Sequence, residues 1–227
     1  MFLKEIFLLG FLLGSVWTEQ FSFYSLSATD INSMDSIEMS KFKGKVMDDD
    51  NRSFYEATFY VLWPFLFYLF YSSCLFFKVL LIVNVASECG YTDNHYRELV
   101  DLQRSYPADQ FQVLAFPCNQ FGKQEPKNNK FIAKYAVDSH QVNFPMFGKI
   151  KTVGQYSHPI YKWLKKETKI EPDWNFNKFL VDKRGRVKRY APAQISPMKM
   201  ANDIQKLVSN QEITGPLIMH DTHHEEL

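Results

Sequence analysis

Cysteine is scarce in this chain: Cys74, Cys89 and Cys118 are the only three in 227 residues. Three are too few for a disulfide-stapled scaffold, and an odd number leaves a thiol over, so cysteine points here to chemistry rather than architecture. An excess of either charge is also missing. The 26 Lys and Arg nearly balance the 25 Asp and Glu, for a formal net charge of +1. That balance implies no general affinity for nucleic acid or for acidic membranes. No internal repeat is visible, which sets aside solenoids and arrays. What remains is an ordinary globular composition and a length suited to one sizeable domain with short appendages.

Both ends read as addresses. Residues 1–18 form a secretory signal peptide by pattern: Lys4 supplies a basic start, an apolar stretch follows over 6–16, and small or mid-sized residues near 15–18 offer a cleavage point. The apolar run is shorter than the roughly 20 residues of a spanning helix, which makes an uncleaved anchor the weaker alternative. The chain ends His224-Glu225-Glu226-Leu227, similar to the retrieval signal of endoplasmic reticulum residents with Glu where Asp is usual. An acidic tail without a role is the plain alternative. The pair of end signals predicts the endoplasmic reticulum lumen, or secretion. His220, His223 and His224 read as part of a flexible polar tail over 211–227 rather than as a metal site.

Between the ends, strands alternate with helices. The run 80–85, Leu-Leu-Ile-Val-Asn-Val, is short and β-branched, as a strand buried on both faces is. Thr92 and Asp93 are suited to cap a helix in which Tyr96, Leu99, Val100 and Leu102 recur at helical spacing. Residues 112–116 predict a second buried strand, ended by Pro117, and a helix follows near 128–136. Another helix is predicted over 159–166. Strands over 178–182 and 187–190 flank Lys183-Arg184-Gly185-Arg186, a hairpin signal. A closing helix is expected over 197–207. The order indicates an α/β sandwich formed by residues 19–45 and 79–210.

Residues 46–78 interrupt it. The segment opens with Asp48-Asp49-Asp50 and then runs over 57–77 without a charge, long enough to cross a bilayer. Pro64 and a crowd of aromatic residues nevertheless make it a poor regular helix. Joining Lys45 to Val79 restores Phe-Lys-Gly-Lys-Val-Leu-Leu-Ile-Val-Asn-Val-Ala-Ser, an uninterrupted approach to the strand. Before the junction Phe, Tyr, Leu, Ser and Cys dominate, and their codons are pyrimidine-rich, like the end of an intron. Two readings stand: retained intron sequence, or a membrane segment. The sequon Asn51-Arg52-Ser53 and Cys74 share whichever fate the segment has.

Cys89 directly follows the first buried strand and precedes a helix. A thiol there lies near unpaired backbone N–H groups and the positive end of a helix dipole, which favour the nucleophilic thiolate. A buried structural cysteine is the alternative by position alone. A dithiol oxidoreductase would carry a second cysteine where Thr92 stands; Cys89-Gly90-Tyr91-Thr92 is a one-thiol version of that site.

Three motifs then make a resemblance specific. Asn84-Val85-Ala86-Ser87-Glu88-Cys89-Gly90-Tyr91-Thr92 resembles the active-site signature of glutathione peroxidases. Leu114-Ala115-Phe116-Pro117-Cys118-Asn119-Gln120-Phe121-Gly122-Lys123-Gln124-Glu125-Pro126 is similar to the family's second signature. Trp174-Asn175-Phe176 with Lys178-Phe179-Leu180-Val181-Asp182 is similar to its third. The resemblance runs from about Phe21 to Leu207, except across the insertion.

The resemblance implies a thioredoxin fold, a three-layer α/β/α sandwich with a central mixed sheet. It implies that Cys89 is the peroxidatic residue, at the place where some relatives have selenocysteine, and that Gln124, Trp174 and Asn175 complete a catalytic tetrad. Two amides and an indole N–H can hydrogen-bond a thiolate and a peroxide without competing as strong acids or bases. No metal or bound cofactor is implied; glutathione or a protein disulfide isomerase would be the reductant. Relatives that use thioredoxin carry a resolving cysteine on the helix after the second signature, and none occurs near 137–140. The chain is most similar to the endoplasmic reticulum branch, in which Cys118 can act as a second redox thiol; a buried structural thiol is the equal alternative. The short run 170–173 before Trp174 implies a monomer with a site open to bulky lipid hydroperoxides. A membrane-tethered or inactive thioredoxin-fold interaction or redox-sensing protein is the reading from a different class.

Overall fold

The computed structural model describes residues 26–42 and 78–220. The signal peptide, nearly all of the insertion with Cys74, and the retrieval-like end with His223 and His224 lie outside the described residues. A short hairpin comes first, β1 (Ser27–Thr29) with β2 (Ser36–Glu38), followed by a 3-10 turn at Met39–Phe42. Then come β3 (Val79–Val85), α1 (Thr92–Ser105), β4 (Phe111–Pro117), α2 (Asn129–His140), α3 (Pro159–Thr168), β5 (Lys178–Val181), β6 (Val187–Ala191), a 3-10 turn at Pro197–Met200 and α4 (Ala201–Val208).

The main sheet runs β4-β3-β5-β6. β3 and β4 are parallel, as a strand–helix–strand crossover requires, whereas β5 is antiparallel to both β3 and β6. All seven residues of β3 and of β4 are buried, but their side chains alternate between two cores. Leu81, Val83, Val113 and Ala115 pack with Tyr96 and Leu99 of α1, Ile132 of α2 and Ile204 of α4. Leu80, Ile82, Leu114 and Phe116 pack with Ile160, Tyr161 and Leu164 of α3. Helices therefore cover both faces of a mixed sheet, in the three layers of a thioredoxin fold.

Both sheet edges are occupied, which blunts unwanted strand pairing. Beside β4, Phe147 N donates to Ala115 O at 2.9 Å and Ile150 N to Pro117 O at 2.9 Å. Beside β6, Tyr190 N donates to Leu217 O at 2.8 Å and Met219 N to Tyr190 O at 2.9 Å. The backbone is thus tied down beyond residue 210, where the sequence suggested a flexible tail.

Other departures have local causes. The expected helix over 197–207 splits into a 3-10 turn and α4, because Glu98 of α1 accepts hydrogen bonds from Ser196 Oγ and Met198 N and holds the turn apart. α2 runs on to His140 and closes with Gln141 in the left-handed region, φ 54°. Thr92 is the first residue of α1 rather than its cap, and its hydroxyl serves the loop before it.

Candidate active site

Parallel strands finish at the same edge of a sheet, and the register aligns Val85 of β3 with Pro117 of β4. β5 runs the other way, so its first residue, Lys178, pairs with Val83 at that same edge. The loops carrying Cys89, Gln124 and Trp174-Asn175 all emerge there. Three motifs far apart in sequence become neighbours through strand direction alone.

The Cys89 loop is a tight turn closed by Thr92. Cys89 N donates to Thr92 Oγ1 at 3.1 Å, and Thr92 Oγ1 donates to Ala86 O at 2.8 Å. Thr92 N donates in turn to Cys89 O at 3.0 Å. The turn holds the half-buried Cys89 just ahead of α1, where the helix dipole favours an anion. Its neighbour Gly90 is exposed, and a Cβ there would meet no atom within 4 Å, so the site is open on that side.

Gln124 is reached through a loop in the left-handed region at Gly122, φ 61°, and Lys123, φ 55°. A side chain at Gly122 would also come within 3.3 Å of Gln124 Cδ, so glycine suits this close approach. Gln124 Oε1 accepts from Asn175 Nδ2 at 2.8 Å, and Asn175 Nδ2 also lies 3.3 Å from Phe121 O. Glu88 N donates to Gln124 O at 2.9 Å, joining the Cys89 loop to the Gln124 loop. Trp174 is 39% exposed, which leaves its ring accessible, and it lies against Phe121 with centroids 6.4 Å apart.

Beneath these residues lies a layer not recognised from sequence. Asn84, fully buried in β3, donates from Nδ2 to Trp174 O at 2.8 Å, and its carbonyl accepts from Phe176 N at 2.6 Å. Lys178 Nζ, also buried, donates to Phe176 O at 2.7 Å and Pro192 O at 3.1 Å. Phe176 sits in the left-handed region at φ 62°, a strained conformation that these bonds help to hold. Burial lowers the Lys178 ammonium to about 7, although Glu98 works the other way. Burial, and then Lys178, lowers His95 of α1 to about 3. The available sequence signal was an Asn and a Lys within otherwise apolar strand runs.

Cys118 stands apart. Its Sγ is buried, 3.4 Å from Thr152 Oγ1 and 3.6 Å from Gln120 Oε1. Tyr161 of α3 feels its charge, which adds to burial in raising the Tyr161 phenol, whereas Cys89 packs against the core that includes α1. Both thiols are free. Among the described residues, no group of three or more His, Cys, Asp or Glu could hold a metal, and no helix is long and apolar enough to cross a membrane.

Residues 71–165 match the family model described as glutathione peroxidase. The chain is 54% identical to glutathione peroxidase 7 of Bos taurus over 110 residues, covering 48% of this chain and 59% of that relative's length. It is 46% identical to a probable phospholipid hydroperoxide glutathione peroxidase of Helianthus annuus over 137 residues, covering 58% of this chain and 76% of the relative. The structure is similar to the crystal structure of Trgpx in apo form, with a TM-score of 0.55 and 31% identity, covering 83% of this chain and 95% of the other.

Proposed function

Because this chain belongs to the glutathione peroxidase family, we propose that it is a thiol peroxidase in which Cys89 reduces hydrogen peroxide and organic or lipid hydroperoxides. The observation that carries this reading is the pair of hydrogen bonds at Gln124: Oε1 to Asn175 and the carbonyl to the residue preceding Cys89. They draw the thiol loop and two amide side chains into one unit. With its oxygen engaged by Asn175, Gln124 presents its amide nitrogen as a donor.

In the reaction, the Cys89 thiolate attacks one peroxide oxygen. A sulfur–oxygen bond forms as the oxygen–oxygen bond breaks, and the departing alkoxide takes up a proton to become an alcohol or, from hydrogen peroxide, water. Sulfur is oxidised by two electrons and Cys89 becomes a sulfenic acid. The Gln124 amide N–H and the Trp174 indole N–H stabilise charge on the thiolate and the departing oxygen. Asn175, with its amide donors held by Gln124 and Phe121, completes the tetrad by fixing Gln124. An incoming thiol condenses with the sulfenic acid and releases water. A second thiol then frees Cys89 and leaves a disulfide in the reductant.

That reductant is glutathione or a protein disulfide isomerase, and the complete burial of Cys118 supports direct attack by an external thiol. Comparing turnover with each reductant separates the two. The reading extends to a monomer, supported by the short run 170–173, in the endoplasmic reticulum lumen, supported by the signal-like segments at 1–18 and 224–227. It takes residues 46–78 as retained intron sequence, and transcripts that all contain the segment would refute that part.

The test of the central claim is intact mass after one equivalent of hydrogen peroxide, with and without Cys89→Ser. Gain of one oxygen, abolished by the substitution, establishes a sulfenic acid awaiting an external thiol. Loss of two hydrogens instead indicates internal resolution by a second thiol, for which Cys118 is the candidate among the described residues. No Cys89-dependent change in a folded protein sinks the peroxidase reading.

A further inference from the structure

Glu125 follows Gln124 and is fully buried, 0% exposed. A carboxylate rarely lies so deep without a partner. Here the partner is Ser87, whose hydroxyl donates to Glu125 Oε2 at 3.1 Å, and Ser87 stands two residues before Cys89. This contact lies beside the backbone bond from Glu88 N to Gln124 O, so the two loops are joined at adjacent points. The rest of Glu125 is also fixed. Its N–H donates to Asn119 Oδ1 at 2.9 Å, and its carbonyl accepts from Lys149 Nζ at 3.0 Å.

The carboxyl can change charge near neutrality. Burial raises it to about 7, while Ser87 and Lys149 pull it down and Glu88 pushes it up. From the helices packed against it, Tyr96 of α1 and Tyr135 of α2 face the same region, and their phenols are raised by burial first and by Glu125 in addition. Among the described residues Glu125 Oε1 has no hydrogen-bond partner, so Ser87 is the side-chain anchor of this group.

We propose that Glu125 is a positioning residue of the peroxide site: its carboxylate, acting through Ser87, holds the Cys89 loop in register with Gln124. The inference rests on the peroxidase reading above. While Glu125 is ionised, the Ser87 hydroxyl donates to a charged acceptor, the stronger kind of hydrogen bond. Protonation weakens that bond and loosens the Cys89 loop. Peroxide reactivity therefore falls as pH drops through about 7, relative to a reaction of Cys89 that does not need Gln124.

The experiment compares two reactions of Cys89 in the full chain across about pH 5 to 9: oxidation by hydrogen peroxide, and alkylation by iodoacetamide. Alkylation needs only an accessible thiolate, so dividing one rate by the other removes thiol ionisation. In wild type the ratio falls on the acid side with an inflection near 7. Glu125→Gln, which keeps the shape and a neutral acceptor, loses that inflection. Ser87→Ala lowers the ratio at pH 8 by up to about 100-fold, the scale of a small misalignment, while alkylation stays close to wild type. The thermal midpoint falls modestly, because the buried carboxylate loses its side-chain donor. An unchanged ratio profile in Glu125→Gln overturns the proposal. So does an equal loss of both reactions in Ser87→Ala, which would mark general damage to the loop. Wild-type protein that is alkylated at Cys89 but not oxidised by peroxide sinks the peroxidase reading, and this inference with it, before any variant is made.

Discussion

The side chains of Asn175 and Gln124 are hydrogen-bonded to each other at 2.8 Å, Nδ2 to Oε1, from loops 51 residues apart. The bond fixes which end of the Gln124 amide is left as a donor, and a reaction that develops negative charge on oxygen needs the nitrogen. Gln124→Ala and Asn175→Ala should each lower the rate constant for Cys89 oxidation by hydrogen peroxide about 100- to 1000-fold. The double variant should lose little more than either single one, because each removes the same bond. Stopped-flow measurements showing fully multiplicative losses would mean that the two amides act separately.

Asn84 supports the third loop from below. Asn84→Ala deletes the buried donor to Trp174 O and should cost about 1–3 kcal/mol of stability. Peroxide reactivity should fall with it, since Trp174 and Asn175 lose their platform. Urea denaturation reports the first effect; an unshifted midpoint would show that the backbone bond from Phe176 N suffices alone.

His95 makes the protein sensitive to acid. Its folded pKa, about 3, lies below the ordinary value of 6.5 because burial and then Lys178 disfavour the imidazolium. Between those values the unfolded chain binds a proton that the folded chain does not, so stability falls as pH drops from 6.5 toward 3. The effect is on the order of 2 kcal/mol by pH 4.5. Replacing His95 with Leu should flatten this part of the profile, read as the change in urea midpoint between neutral and acid buffer. Equal slopes in the two proteins would refute it.

The two described thiols should differ sharply in access. Cys89 is half-buried at an open loop, whereas Cys118 is 0% exposed. Brief treatment of native protein with iodoacetamide should label Cys89, with Cys118 labelled only after unfolding. Any disulfide between them should form later than the sulfenic acid, since Cys118 is fully buried. Peptide mapping by mass spectrometry at timed intervals tests both statements; early labelling of Cys118 would contradict the first.

Much of this was legible in the residues. The buried strands announced themselves in apolar, β-branched runs, and α1 in the spacing of Tyr96, Leu99 and Val100. The hairpin between β5 and β6 was marked at Gly185, which takes φ 74°. The β1–β2 hairpin went unread, because three-residue strands carry too little periodicity; its turn is held by Asp30 Oδ1 accepting from Asn32 N and Ser33 N.

The chain by itself determined the order of strands and helices, the position of Cys89 between β3 and α1, and the three motifs that name the family, because these are local patterns of side chains. Tertiary structure alone decided that β5 runs antiparallel to β3 and delivers Trp174 to Asn84, 90 residues away. It alone buried Cys118 beside Thr152, buried Glu125 against Ser87, and left Lys178 and His95 with displaced pKa values. Such contacts come from burying whole elements against one another, and the dielectric that each charge feels does not exist until that burial is complete.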